Sequence, residues 1–148
     1  MQANQFFIIF NLVASGNWIL IILFPERKSV RHLTYIVISC ICLLYTALLY
    51  GTDFRFLTDG LNSIDSFRLI LKDNMVLLAG WIHYLAVDLV AGLYINAASA
   101  KYKIPRAFVI PTLLLTFLLG PTGLLTFILT KQFYVDKYAR EFPKNIQQ

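Results

Sequence analysis

Polar and ionisable side chains interrupt the apolar stretch 75–95 more densely than any other apolar stretch of the chain. Trp81, Tyr84 and Asp88 would share one face of a helix at i, i+3 and i+7. His83 would lie about 140° around the helix from Asp88. An ionised aspartate at the centre of a membrane helix costs about 2.5–3.5 kcal/mol on insertion scales, so it requires a partner or a function. Any chemistry of this chain is expected here.

Each of these side chains also has a purely structural interpretation. Asp88 can be a structural anion bonded to Tyr84 or to a snorkelling Arg106. A single His83 in a span is typical of a neutral hydrogen-bonding group between helices, and Trp81 is typical of packing. The chain has two His and no ligand spacing typical of a metal site. No metal and no cofactor is therefore predicted.

Two other apolar stretches carry polar or irregular residues. Asn17 lies in the stretch 5–24 and must find a partner in the membrane interior. In the stretch 107–130, Pro121 removes a helical hydrogen bond, so a kink is predicted there, either for packing alone or to shape a cavity beside Thr116. The residues predicted to line a ligand site are Trp81, Asn17, Thr116 and Pro121.

The composition indicates that membrane helices position these residues. Of 148 residues, 58% are hydrophobic and 14% are charged, whereas a soluble domain carries roughly 25% charge. All Lys and Arg residues and all acids except Asp88 lie outside four apolar windows: 5–24, 33–50, 75–95 and 107–130. Each window has the length of about 20 residues that crosses a hydrocarbon core. The predicted fold is an all-α polytopic membrane protein with four transmembrane helices, forming one integral membrane domain over residues 1–148.

A short additional helix is predicted between the second and third windows. Apolar residues recur near helical spacing within 62–72, and Asn62 or Ser63 can cap the helix start. This helix is expected to lie at the membrane interface.

The net charge of +5 does not indicate nucleic-acid binding, because the basic residues form short blocks beside the apolar windows. Such blocks are typical of contacts to lipid headgroups. The expected partners are therefore membrane lipids and a lipophilic small molecule, with nucleic acid excluded and a homo-oligomer left open.

Two motifs carry a resemblance to a known family. They are the segment 81–92, WIHYLAVDLVAG, and the segment 111–125, PTLLLTFLLGPTGLL, with an Ile104-Pro105 pair between them. Residues 6–131 resemble the small four-span membrane family named after the plant abscisic-acid-deficient protein, and are most similar to its bacterial-type members.

The resemblance implies an isomerase-like membrane protein without a cofactor. Plant members of the family are implicated in making neoxanthin from violaxanthin, which opens an epoxide and removes a proton to leave an allene. Such a reaction needs an acid at the oxygen and a base at the carbon skeleton. The resemblance assigns these roles to His83 and Asp88, with Tyr84 as an auxiliary donor.

The substrate implied is an epoxy-carotenoid-like or other lipophilic molecule, and the expected location is a bacterial inner (plasma) membrane. Two other functions stay open: binding of a lipophilic ligand without catalysis, and a role as a non-catalytic membrane scaffold or assembly protein.

Overall fold

The computed structural model describes residues 3–50, 58, 60 and 62–141. These residues contain no strand, which confirms the predicted all-α class. The helices with defined bounds in the described part of the chain are α1 (Ala3–Leu23), α2 (Lys28–Tyr50), α3 (Ile64–Ile70), α4 (Asn74–Lys101), α5 (Arg106–Leu119) and α6 (Pro121–Glu141).

Helices α1, α2 and α4 are long and apolar enough to cross a membrane. They correspond to the predicted windows 5–24, 33–50 and 75–95. The fourth window, 107–130, is not one helix: it contains α5 and the first half of α6. The predicted count of four spans is therefore not confirmed, and the break falls where the sequence predicted a kink.

Gly120 reverses the direction of the chain between α5 and α6. Its backbone has φ 35° and ψ −91°, a conformation that favours glycine because a Cβ would clash there. The rings of Phe108 and Tyr134 lie 6.1 Å apart. A continuous helix would separate these residues by about 39 Å. Helices α5 and α6 are therefore the antiparallel arms of a hairpin.

Gly123 and Pro121, which follow the reversal, both fit the hairpin. A Cβ on Gly123 would lie 2.1 Å from the backbone nitrogen of Thr116, so only glycine permits this approach. Pro121 is the first residue of α6, where its missing N–H would be unpaired in any case. The irregularity predicted at Pro121 is thus real, but it is a reversal at Gly120 and not a proline kink.

The length of α5 determines what the hairpin can do in a membrane. Its 14 residues extend about 21 Å, which is less than the hydrocarbon thickness of about 30 Å. Helix α6 returns through an apolar half and ends in the charged segment that follows Thr130. Helix α5 alone is therefore shorter than a membrane span.

The chain divides into two compact units. Unit 1 comprises Met1–Asn17 and His32–Val87, and unit 2 comprises Trp18–Arg31 and Asp88–Gln148. Among the described residues, the buried apolar side chains of unit 1 include Ile41, Leu78 and Ile82. Those of unit 2 include Trp18, Ile21, Leu89, Leu113 and Phe127.

Helix α3 confirms the short helix predicted between the second and third windows. Ser63 is its N-cap, and the Ser63 side chain accepts a hydrogen bond of 3.1 Å from the backbone N–H of Ser66. A serine cap satisfies one of the N–H groups that a helix start leaves unpaired. Its position at the membrane interface stays a prediction.

Candidate functional site

The residues predicted to carry chemistry fall in both units. Trp81, His83, Tyr84 and Asn17 belong to unit 1. Asp88, Thr116 and Pro121 belong to unit 2.

Trp81 is the centre of an aromatic cluster in unit 1. Its ring lies 5.3 Å from that of Phe7 and 5.6 Å from that of Tyr84. Its indole Nε1–H donates a 3.2 Å hydrogen bond to Oδ1 of Asn11. Two of the predicted site residues, Trp81 and Tyr84, are therefore in contact.

His83 lies on an exposed face of α4 in unit 1. Its ring packs 5.4 Å from the ring of Tyr45, which belongs to α2. The imidazole of His83 is therefore accessible from outside the protein.

Asn17 is buried in unit 1 and pairs with Thr34 of α2. The amide Nδ2 donates to the Thr34 hydroxyl at 3.1 Å, and the same hydroxyl lies 3.3 Å from the amide Oδ1. Such a bond between helices satisfies polar groups that lipid cannot pair. Asn17 therefore has a structural partner, and its predicted role in ligand binding stays a prediction.

Helices α4 and α6 run in the same direction within unit 2. The rings of Tyr94 and Phe127 lie 5.9 Å apart, and those of Tyr102 and Tyr138 lie 5.8 Å apart. The second pair lies nearer the C-terminus than the first in both helices, so the two helices are parallel.

Asp88 lies at the depth where the hairpin reverses. Asp88 is six residues before Tyr94 on α4, and Gly120 is seven residues before Phe127. At about 1.5 Å per residue, these two positions differ in depth by about 2 Å. Asp88 is 6% exposed, so a buried carboxylate lies level with the non-helical backbone of the hairpin tip.

Buried hydroxyl groups extend along α5 towards that tip. Thr116 Oγ1 donates to the carbonyl of Thr112 at 2.7 Å, and Thr112 Oγ1 donates to the carbonyl of Val109 at 2.8 Å. Both threonines are buried. These buried hydroxyls are therefore satisfied by carbonyls of their own helix.

A second site lies at the ends of α1 and α4 in unit 2. It is a cavity of about 540 Å³, a volume typical of small-molecule sites. We call it the Asn96 cavity. Its polar and charged lining comprises Glu26, Arg31, Asn96, Ser99, Lys103 and Arg106.

Asn96 and Arg106 close the C-terminal end of α1. Asn96 Nδ2 donates to the carbonyl of Ile21 at 2.9 Å, and the Arg106 guanidinium donates to the carbonyl of Ile22. The last carbonyls of a helix have no partner within it, so these side chains satisfy them.

The amide oxygen of Asn96 has no hydrogen-bond donor among the described residues. Its Oδ1 is buried and accepts no hydrogen bond from any described residue. The amide cannot be turned round, because its oxygen would then face the carbonyl oxygen of Ile21. A buried acceptor without a donor is unusual in a native structure and requires an explanation.

Sequence reasoning did not assign Asn96 a role. The available sign was an amide in the interior of the apolar helix α4, five residues before Lys101. Its partner Ile21 is 75 residues away, and this contact is not encoded in local spacing.

The fold and the sites define a class of protein: an all-helical membrane protein with a buried carboxylate on an apolar helix of span length and a polar cavity at helix ends. The chain belongs to the ABA DEFICIENT 4-like family, whose model matches residues 5–127. The family predicted from the two motifs is thus confirmed. No curated protein and no solved structure matches the chain.

Proposed function

We propose that this protein binds an oxygenated lipophilic molecule inside the membrane and isomerises it without a cofactor, with Asp88 as the group that transfers a proton. The observation that carries this proposal is the burial of Asp88 at the depth of the Gly120 reversal. Intramembrane carboxylates are expensive to bury, and their default interpretation is functional. A substrate in the lipid can reach this depth only if it is itself lipophilic.

The chemistry proposed is epoxide opening coupled to proton loss. An acid protonates the epoxide oxygen as its C–O bond breaks, and a base removes a proton from the carbon skeleton. The electron pair of the broken C–H bond forms the new carbon–carbon double bond. One proton is gained and one is lost, so the product is an isomer and no redox cofactor is required.

The roles follow from the side-chain chemistry. A carboxylate suits the base, so Asp88 is proposed for proton removal. His83 and Tyr84 stay the candidates for the acid and the auxiliary donor, as the family resemblance implies. A bacterial inner membrane is the proposed location.

The test uses the purified protein in liposomes that contain violaxanthin as an epoxy-carotenoid probe, with products separated by chromatography and identified by absorbance. Replacing Asp88 by asparagine keeps the shape of the side chain and removes the base. Conversion should fall at least about 100-fold, because a positioned acid or base contributes about 10²–10⁴ to a rate. The protein should unfold at an unchanged or higher temperature, because an expensive buried charge has been removed.

The matched control is Asp65→Asn, which also removes one carboxylate. Asp65 lies on α3, is highly exposed and pairs only with Arg68 at 3.0 Å among the described residues, so conversion should not change. Full conversion by a stable Asp88→Asn protein would remove Asp88 from the site. If the wild type neither converts nor retains the carotenoid through purification, the scaffold function is favoured instead.

A further inference from the structure

An apolar groove lies between the first turns of α1 and α4 in unit 1. Its volume is about 380 Å³, within the range typical of small-molecule sites. Its larger apolar lining residues are Phe7, Leu71, Leu77, Leu78 and Trp81. We call it the Trp81 groove. All the residues that line it belong to unit 1, so its shape is determined within one compact unit.

The aromatic wall of the groove is apolar and held in place. The rings of Phe7 and Trp81 lie 5.3 Å apart, and both side chains are partly exposed. The indole Nε1–H of Trp81 donates to Asn11, so the polar atom of this ring already has a partner in the protein. The wall therefore offers apolar surface, which a hydrocarbon ligand would cover.

The shape of the groove favours a ring over a single chain. Leu71, at the end of α3, adds a third wall to the two formed by α1 and α4. Gly80 widens the floor, because a Cβ at this position would meet nothing within 4 Å. A rigid ring also loses less conformational freedom on binding than a flexible chain does.

The absence of charge from the groove selects a neutral molecule. Among the described residues that line it, none is charged. An ionic headgroup would lose its hydration in the groove without gaining a counter-charge. A neutral ligand has no such cost.

The polar groups of the groove lie at one end. They are the amides of Asn4 and Asn74, in the first turns of α1 and α4, and both residues are exposed. Lys72 and Asp73 immediately precede α4, so this end is the one expected beside the lipid headgroups. An amide can donate to or accept from a hydroxyl group. A hydroxyl on the ring is therefore the polar group that fits this end.

We propose that the Trp81 groove binds a neutral lipid that ends in a hydroxylated ring. The ring would lie over Gly80 against the aromatic wall, its hydroxyl would bond to Asn4 or Asn74, and its apolar tail would continue into the membrane. The groove belongs to unit 1, and this proposal does not depend on the chemistry proposed for Asp88 of unit 2.

The test is a titration of the full-length protein in detergent, followed by native mass spectrometry, with affinities expressed per mole fraction of probe in the micelle. Three probes have the same number of carbons: decylcyclohexanol has the ring and the hydroxyl, decylcyclohexane only the ring, and hexadecanol only the hydroxyl. We expect decylcyclohexanol to bind about fivefold more tightly than either of the others. This is the effect of one hydrogen bond or of the conformational freedom that a ring does not lose.

Gly80→Leu tests the position of the ring. The added side chain enters the open space over the floor, so the protein should unfold at an unchanged or higher temperature while decylcyclohexanol binding falls at least about tenfold. Gly16→Leu is the matched control. A Cβ on Gly16 would also meet nothing within 4 Å, but Gly16 does not line the groove, so binding should not change.

Replacing Asn4 and Asn74 together by leucine tests recognition of the hydroxyl. The start of α4 should stay intact, because the Asp73 carboxylate accepts the Met75 N–H at 2.7 Å and is not altered. The double variant should bind decylcyclohexanol and decylcyclohexane equally and keep its preference for both over hexadecanol.

Two results would overturn the proposal. Equal binding of decylcyclohexanol and hexadecanol by the wild type would mean that the acyl chains of ordinary lipids fill the groove. Undiminished binding by a folded Gly80→Leu protein would place the ring elsewhere, and if this variant does not fold, the hydroxyl preference of the asparagine double variant decides. None of the probes carries an epoxide, so neither result bears on the isomerisation proposed for Asp88.

Discussion

The buried and part-buried asparagine amides of the two units differ in how completely they are hydrogen-bonded. In unit 1 the amides of Asn11 and Asn17 are paired at both ends, by Trp81 and the Phe7 carbonyl for the first and by Thr34 for the second. In unit 2 the amide of Asn96 is paired at one end only. Pairing between helices explains an amide that is bonded at both ends, whereas a buried acceptor bonded at neither lone pair is not explained by stability.

The glycines differ in how much space surrounds them. A Cβ added at Gly16 or Gly80 in unit 1 would meet nothing within 4 Å. In unit 2, a Cβ on Gly92 would lie 2.8 Å from Ile21 Cδ1, and one on Gly123 would lie 2.1 Å from the Thr116 backbone. A Cβ on Gly60 of unit 1 would also overlap a neighbour, the side chain of Ile70. Among these glycines, only Gly123 marks a close approach of two backbone segments.

The largest effect is expected for Gly123→Ala. The added methyl group would overlap the backbone of Thr116, which cannot move aside as a flexible side chain would. We expect a loss of about 3 kcal/mol or of folded protein altogether, since overpacking costs about 1–3 kcal/mol even where side chains can adjust. Thermal unfolding in detergent and the yield of monodisperse protein measure this.

Gly80→Ala provides the comparison from unit 1. It should be neutral or stabilise the protein by up to about 1 kcal/mol, because alanine is the better helix former. If the two substitutions had equal effects, the contrast between Gly123 and Gly80 would be wrong.

An intermediate effect is expected at the Asn17–Thr34 pair of unit 1. Thr34→Val leaves the buried Asn17 amide without its partner and should cost about 1–3 kcal/mol. Adding Asn17→Leu should recover part of this loss, because no polar group is then left unpaired. The double-mutant cycle should give a coupling of about 1 kcal/mol, within the range found between membrane helices. Strictly additive losses would show that the pair does not interact.

Local sequence patterns were sufficient for the three long helices and for the Ser63 cap. Charge-free windows of span length and a serine before an amphipathic segment are properties of neighbouring residues. The boundaries of α2 and α4 extend beyond the windows, to Lys28 and Lys101, because long basic side chains can end a membrane helix in the headgroup region.

The hairpin and the Asn96 cavity could not be derived in the same way. Pro121 is a local sign of a broken helix, but whether a break kinks or reverses the chain depends on the contact of Gly123 with Thr116. Likewise, the half-paired state of Asn96 depends on a carbonyl in α1. Both features come from contacts between helices, which one sequence does not reveal.

The smallest effect is expected for Pro121→Ala, which tests what holds the hairpin of unit 2. If proline bent an otherwise continuous helix, alanine would straighten it and separate residues 108 and 134 to about 39 Å. Because Gly120 makes the reversal and Pro121 only begins α6, we expect the hairpin to persist, with a loss of about 0.4–1 kcal/mol from the more flexible unfolded chain. Spin labels on cysteines placed at 108 and 134, after both free cysteines, Cys40 and Cys42, are replaced by alanine, measure the separation directly. The two label positions should stay close with proline or alanine at 121, and a distance that lengthens only in the alanine variant would assign the reversal to the proline after all.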